Sequence, residues 1–533
     1  MIHSHHKSHV LIASITLSLI LCAAGNSISQ PPSKTIQRKV TKTPVFDVPI
    51  LIEYKIAADE GVLAVSPDAK TVAYAYKYDE TGRPVVIWNG KEFGPYDHIG
   101  ALKFSPDAKR LAYVAQEKGS EKVFMVVDGK KGRKYDSIDD ATTKFSADSK
   151  RLAYLACNKK KCFMVIDGKE DSAYPSIERG SFIFSSNNKR YAYRCQAEGG
   201  WRVVVDGRLR KDRVLWGGYL SGMLAQGDAD RPVFSPDSKR VAYKVTFAGF
   251  NTSAIHQPKK SFSFVDGDKL DGSFCCFSPD GKQVAYVSEE ENYQEALVIK
   301  KMFSKKGKSY TRGTINSVTF SPDSKRVAYA AYEGSESFVV LDDVEQKRHK
   351  GYTAPAMVEG VIYATPVGQK DRATEPEDRG VVENSLTFSP DGKRFAYVIS
   401  KGGRNVLVLD GAEAKTHNYQ WYSSVLSRPV FSSDSKHVAY PAYDQQANEY
   451  YVVLDGQASK KYRSIKYGSL MFSPDNKHLA YVVEDDDGFV VVAGSEGTER
   501  GVYSKVIFDS PTRLHYLTRN GRQIYLVSEE LRG

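Results

Sequence analysis

Very little in this sequence speaks of catalysis. It lacks Gly-x-Ser-x-Gly, which excludes the strained nucleophile turn of a hydrolase domain. It lacks His-Glu-x-x-His and any Gly-rich loop ending in Lys-Ser/Thr, so neither a zinc-protease helix nor a phosphate cradle is present. Histidine is sparse: of 11, four (His3, His5, His6, His9) lie in the first 24 residues. The other seven, at 98, 256, 349, 417, 437, 478 and 515, stand singly. Long apolar runs are absent beyond Val10–Leu21, and that run is too short to span a bilayer comfortably.

The N-terminus is organised as an export signal. Lys7 precedes the apolar run, and Cys22-Ala-Ala supplies small residues for cleavage, so residues 1–24 read as a signal peptide. Leu19-Ile-Leu-Cys22 loosely resembles a lipoprotein box but carries Leu21 where a small residue is expected, which argues against anchoring at Cys22. Residues 25–45 read as a flexible basic linker. The expected product is periplasmic or secreted, with no transmembrane segment after cleavage.

Export gives the few cysteines meaning. Of six, Cys157 and Cys162 bracket Asn158-Lys-Lys-Lys161 at a hairpin and are placed for a cross-strand disulfide. With no second pair and no nearby His, they do not make a zinc site. Cys195, Cys275 and Cys276 have no evident partners. The formal charge of +11 comes largely from Lys-Arg pairs at recurrent turns, read as solvated. The other reading is a basic face for anionic polymers. Nucleic acid is not expected of an exported chain without a basic and aromatic single-strand platform.

What is abundant is repetition. Phe104-Ser-Pro-Asp-Ala-Lys-Arg-Leu-Ala-Tyr113 returns as Phe320-Ser-Pro-Asp-Ser-Lys-Arg-Val-Ala-Tyr329 and Phe388-Ser-Pro-Asp-Gly-Lys-Arg-Phe-Ala-Tyr397. The motif starts at 65, 104, 145, 184, 234, 277, 320, 388, 431, 472 and, degraded, 508. Its usual interval is near 40 residues, with 68 between the copies at 320 and 388. Each copy supplies a short strand, a Ser-Pro-Asp turn, a strand ending in Ala-Tyr, a third strand, and an Asp-Gly or Asn-Gly hairpin such as Asp128-Gly129. Four short strands per period make one propeller blade.

The motif with its Asp-Gly hairpin resembles the WD-repeat-like propeller repeats of the TolB type over roughly residues 46–533. The fold expected is all-β: a β-propeller of about eleven four-stranded blades. Eleven exceeds the usual ring of four to eight, so two tandem rings of five and six blades are expected, 46–280 and 281–533. The boundary would fall within 255–305, and one large ring is the alternative. The strand Ile50–Ile56 is expected to complete the last blade, which has only three strands of its own.

The Ser-Pro-Asp and Asp-Gly turns should share one end of the blades, leaving the variable loops at the other. Those loops include Phe247–Lys260, the acidic Ser288–Glu295, Arg213–Asp230, Asn418–Tyr422 and the insertion Val344–Val382. Glu484-Asp-Asp-Asp-Gly488 lacks the alternating ligand spacing of a calcium loop and reads as a solvated hairpin. Candidate binding residues are the loop aromatics Trp216, Tyr219, Tyr352, Tyr363, Trp421 and Tyr422. No catalytic residue, metal site or cofactor is expected. The TolB-type resemblance implies a noncatalytic envelope protein that binds a protein or cell-wall glycan through the variable-loop end. The rivals are a polysaccharide-active lyase or hydrolase and a purely structural or sensor propeller.

Overall fold

The Ser-Pro-Asp turn explains why each repeat folds as it does. In the computed structural model Ser321 Oγ donates to Asp323 Oδ1 at 2.6 Å and accepts the Arg326 N–H at 2.9 Å. Asp323 Oδ1 also accepts the Lys325 N–H at 3.2 Å. The residue after Asp takes a left-handed φ in copy after copy, as at Ala108, Ser149, Ser324 and Gly392 (61°, 63°, 62° and 72°). The turn serines are buried, so their hydroxyls satisfy backbone donors that water cannot reach. At the hairpin to the fourth strand both central residues have positive φ, 53° at Asp128 and 80° at Gly129. That conformation matches the right-handed twist of the flanking strands.

The structure describes Ile15–Leu17, 37–47 and 63–532, the last apart from internal stretches of which 216–223, 363–379 and 415–427 are among the longest. Eleven sheets form the blades of a β-propeller, and no helix occurs among the described residues. Blades 1 to 10 cover 63–93, 98–135, 137–170, 176–209, 227–270, 273–311, 314–350, 380–413, 430–458 and 464–500. Blade 11 combines 507–532 with 37–47. Two compact units result: Met1–Ser120 with Met125–Lys131 and Lys461–Gly533, and Glu121–Phe124 with Gly132–Lys460.

In the second unit the Ala-Tyr pair is the packing rule. Successive strand residues point to opposite faces, so Ala and Tyr serve different neighbours. Ala153 of blade 3 shares a cluster with Tyr193 of blade 4, and Ala192 of blade 4 with Tyr243 of blade 5. Ala328 of blade 7 meets Tyr397 of blade 8, and Ala396 meets Tyr440 of blade 9. These four alanines are fully buried, at 0% exposure, as are the alanines of the other six Ala-Tyr pairs along the chain. A ring on one sheet needs a methyl opposite it, because full-sized side chains on both sheets would force them apart.

The first unit joins the two chain ends. Strand Gln37–Asp47 pairs antiparallel with Gln523–Arg532 and becomes the fourth strand of blade 11. This corrects the assignment of that role to Ile50–Ile56, which lies outside the described residues; residues 37–45 of the expected linker belong to this strand. The physical reason is that this strand is held by backbone pairing and by ion pairs more than by apolar side chains: Arg38 pairs with Glu529 and Lys42 with Glu499, each at 2.6 Å, so Lys39-Val-Thr-Lys-Thr43 carries little apolar signal. Blade 11 then packs on blade 1 through Leu517 and Ile524 against Val72, Leu63 and Tyr74. His515, standing where the other repeats have Ala, is buried (1% exposed), with Nε2 2.7 Å from the Asp68 carbonyl and Nδ1 2.8 Å from Asp509 Oδ2.

One pH prediction follows from the turns. Hydrogen bonds from the turn serines hold the carboxyls of Asp148, Asp237, Asp280, Asp323, Asp391, Asp434 and Asp475 below their ordinary value. A carboxyl more acidic in the folded than in the unfolded state stabilises fully above the unfolded value of about 4. That contribution is lost as pH falls through the lower folded values. Thermal melts should therefore be flat in this contribution from about pH 7 to 5 and fall steeply below about pH 4. A melting temperature unchanged down to pH 3 would show that the turns do not bind their carboxylates this way.

Candidate functional site

The two ends of the blades differ in what their polar groups are already doing. At the Ser-Pro-Asp end the groups are saturated internally. Arg326 Nε lies 2.7 Å from Asp342 Oδ2, and Asp342 Oδ1 accepts the Val327 N–H at 3.0 Å. Arg326 Nη1 donates to the carbonyls of Gly392 and Lys393 in the next blade, each at 3.0 Å. Its guanidinium also covers the Phe388 ring at 5.4 Å. Arg151, Arg190 and Arg394 repeat these contacts. Arg151, Arg190, Arg326 and Arg394 are therefore inter-blade staples, which corrects their reading as solvated; the lysines do reach water, Lys325 being 81% exposed.

Lysine cannot replace the fork, because one ammonium cannot serve a carboxylate, two carbonyls and a ring face together. Arg326→Lys should cost about 1–2 kcal/mol in urea unfolding. An unchanged midpoint would mean that the staple is energetically idle.

The opposite end, where each first strand begins and the second strand turns into the third, carries residues particular to each blade. Between blades 3 and 4 it holds a cleft of about 540 Å³ lined by Ser137, Asp139, the Cys157–Cys162 pair, Ser176, Glu178, Arg179 and Trp201. Cys157 and Cys162 are directly opposed in the strand register and disulfide-bonded. Glu178 and Leu155 also line a smaller cavity of about 130 Å³, together with Thr142, Thr143, Lys144 and Phe182.

The charges here are arranged in pairs. Arg179 of blade 4 forms an ion pair with Asp139 of blade 3. Glu178 pairs with Arg194 at 3.2 Å and with Arg231 of blade 5 at 3.4 Å. Arg194 lies over the Trp201 ring at 4.6 Å and does not itself line the cleft. Four polar atoms at this place are buried without a hydrogen-bond partner: Asp139 Oδ2, which keeps its ion pair with Arg179, and Thr143 Oγ1, Glu178 Oε2 and Arg194 Nε.

None of these groups was singled out from the sequence except the two cysteines. Ile177-Glu178-Arg179 precedes a first strand, a place where other repeats carry unrelated residues, so the motif alone does not mark it. The aromatics that were singled out, Trp216, Tyr219, Tyr352, Tyr363, Trp421 and Tyr422, lie outside the described residues. The insertion is shorter than Val344–Val382: Val344–Glu345 and His349–Lys350 belong to blade 7, and Gly380–Val381 to blade 8. In Glu484–Gly488, Glu484 accepts from Ser464 Oγ at 2.7 Å and Asp485 pairs with Arg500 at 3.0 Å. Among the described residues, no three or more His, Cys, Asp and Glu are grouped to hold a metal ion. Nor is any helix long and apolar enough to cross a membrane.

No protein-family model matches the chain, and no curated protein matches it. Solved structures similar to it include propeller proteins. TolB from Acinetobacter baumannii is 14% identical with a TM-score of 0.21, covering 57% of this chain and 80% of TolB. The β-propeller domain of the trilobed protease from Pyrococcus furiosus is 16% identical at 0.22, covering 54% and 92%. Oligogalacturonate lyase from Vibrio parahaemolyticus is 12% identical at 0.26, covering 65% and 97%. At these identities and scores nothing of the neighbours' chemistry transfers to this chain.

Proposed function

We propose that the mature protein is an exported, noncatalytic β-propeller that binds a protein or glycan partner of the cell envelope through its variable-loop end. The observation that carries this reading is the asymmetry between the two ends. The uniform end uses its serines, aspartates and arginines to hold blades together, whereas the other end keeps an open cleft walled by residues of two blades. Binding sites on rigid scaffolds belong to the variable segments for the same reason: a group already satisfied internally has little to offer a ligand. The export signal read in residues 1–24 supports an envelope partner.

The test is affinity capture from an envelope extract with tagged mature protein, intact and lacking residues 351–379. That deletion spares the strands on either side. The intact protein should retain a specific partner, and the shortened one should retain less of it. A polysaccharide panel incubated with the protein should yield neither new reducing ends nor unsaturated products. Turnover of any of them would replace binding with catalysis.

A further inference from the structure

We infer that the variable end of blades 3 and 4 binds an acidic glycan, with one charged sugar seated in the cleft and the chain running over the lysine-bearing hairpin 158–161. The inference rests on the binding role proposed above and names the class of ligand at one place on that end.

Charge balance is the first argument. Three arginines stand against two carboxylates around the cleft: Arg179 pairs with Asp139, and Glu178 is shared by Arg194 and Arg231. Arg179 makes its ion pair through Nε, is 80% exposed, and donates no hydrogen bond through its two terminal nitrogens. A guanidinium with N–H groups to spare is suited to grip a carboxylate or phosphate with two parallel hydrogen bonds.

The hairpin adds to the excess. Cys157 and Cys162 line the cleft, and Lys159, Lys160 and Lys161, all exposed, form the tip between them. Lys159 donates its backbone N–H to Asp136 Oδ2 at 2.7 Å, and Lys122 Nζ lies 3.4 Å from Asp136 Oδ1. Lys160 and Lys161 make no ion pair among the described residues. Asp140, next after Asp139, does not line the cleft and still leaves the cations in the majority. The corresponding hairpins of blades 7 and 9 carry Glu333 with Glu336 and Asp444 with Glu449, so this basic surface is local to blades 3 and 4. The disulfide closes the lysine tip at the cleft wall, which leaves it less conformational freedom to lose on binding. Positive potential at the mouth of a cleft draws in ligands of the opposite sign.

Size and hydrogen-bond donors select the class of anion. A cleft of about 540 Å³ falls within the range of small-ligand sites. A folded protein partner needs far more buried surface, about 1,200 Å² or more in total. Glu178, which lines both the cleft and the smaller cavity, has Oε2 buried and unpartnered, and Thr143 Oγ1 in that cavity is unpartnered too. An acidic sugar carries on one ring both the negative charge that suits Arg179 and the lysines and the hydroxyl donors that suit those oxygens. A carboxylate side chain of a peptide supplies only the first, and a neutral sugar only the second.

The experiment is calorimetric titration of the full-length mature protein with hexuronic-acid oligomers and sugar-phosphate oligomers, which separate carboxylate from phosphate as the charged group. Neutral cello-oligosaccharides and a glutamate-rich peptide of matched charge are titrated alongside. The variants are Arg179→Gln, the double Lys160→Gln with Lys161→Gln, and, at the opposite end of the blades, Lys325→Gln, each checked for folding by thermal melting. An acidic oligomer should bind about tenfold or more tightly than the neutral ones. Raising salt from about 0.05 to about 0.5 M should weaken that binding roughly tenfold. Arg179→Gln should weaken it roughly fivefold or more, the lysine double severalfold, and Lys325→Gln not at all. Acidic-oligomer binding unmoved by the folded Arg179 and lysine variants, or weakened equally by Lys325→Gln, overturns the location. Equal affinity for neutral sugars, preference for the peptide, or no binding of either acidic oligomer overturns the ligand class. In each case the capture experiment reports separately on whether this end binds a partner at all.

Discussion

Arg38→Ala should lower the unfolding free energy by about 3–5 kcal/mol, among the largest single-residue effects expected for this protein. Arg38 sits on the strand that completes blade 11, and its Nη1 lies 2.6 Å from Glu529 Oε2. Both side chains are buried, at 7% and 0% exposure. Arg38 also donates to the carbonyls of Ser495, Ala493 and Val491 in blade 10, and Tyr516 donates its hydroxyl to Glu529 Oε1 at 2.5 Å. Removing the guanidinium strands a buried carboxylate and loosens the strand 37–47 that ties the N-terminal segment to blade 11.

Breaking a buried pair is costly because of the partner left behind, so replacing both members with apolar residues should cost less. Arg38→Met with Glu529→Leu should recover a large part of the loss. Urea unfolding of the two singles and the double decides this. A cost below 1 kcal/mol for Arg38→Ala would mean that the last blade holds together without the latch.

Tyr329→Ala should cost a similar amount, about 3–5 kcal/mol, by opening a cavity at the junction of blades 6 and 7. Its ring is 1% exposed and packs with Ala285, Leu297, Ile315 and Phe338. The adjacent Ala328 faces the other way, onto Phe395 and Tyr397 of blade 8. Ala328→Leu should therefore cost about 1–3 kcal/mol by overpacking rather than by loss. Because the two positions serve different interfaces, the double variant should be close to additive. Strong coupling would show that these interfaces are not independent, and that the alternation is not the packing rule inferred here.

Much of this architecture was legible in the sequence. The period announced blades, the Asp-Gly pairs announced hairpins, and the Ala-Tyr dipeptide announced a small residue beside a large one at a sheet interface. The Cys157–Cys162 bridge was legible for the same reason, since a short polar loop between two strands puts its flanks opposite each other. The cleft was not. Asp139, Glu178, Arg179 and Trp201 come from two blades and belong to no repeated phrase, so only the packing of one sheet on the next brings them together.

The turn arginines mark the same boundary from the other side. As a sequence feature, Lys-Arg after a turn reads as two solvated cations. The structure separates them, because the arginine reaches a carboxylate 16 residues on in its own blade and carbonyls of the next. The strand that completes blade 11 was misplaced on similar grounds: Ile50–Ile56 looks more like a strand than Lys39–Thr43, and a strand held by backbone pairing and ion pairs does not require one that does.

By itself the sequence determined the number of blades, their turns and the alternation of their faces. Each of these follows from φ preferences and side-chain periodicity within about ten residues of chain. Only the tertiary structure decided which strand completes the last blade, which cations are staples, and where two blades leave room for a ligand. Those outcomes depend on contacts between residues far apart in the chain, whose energies no local pattern records.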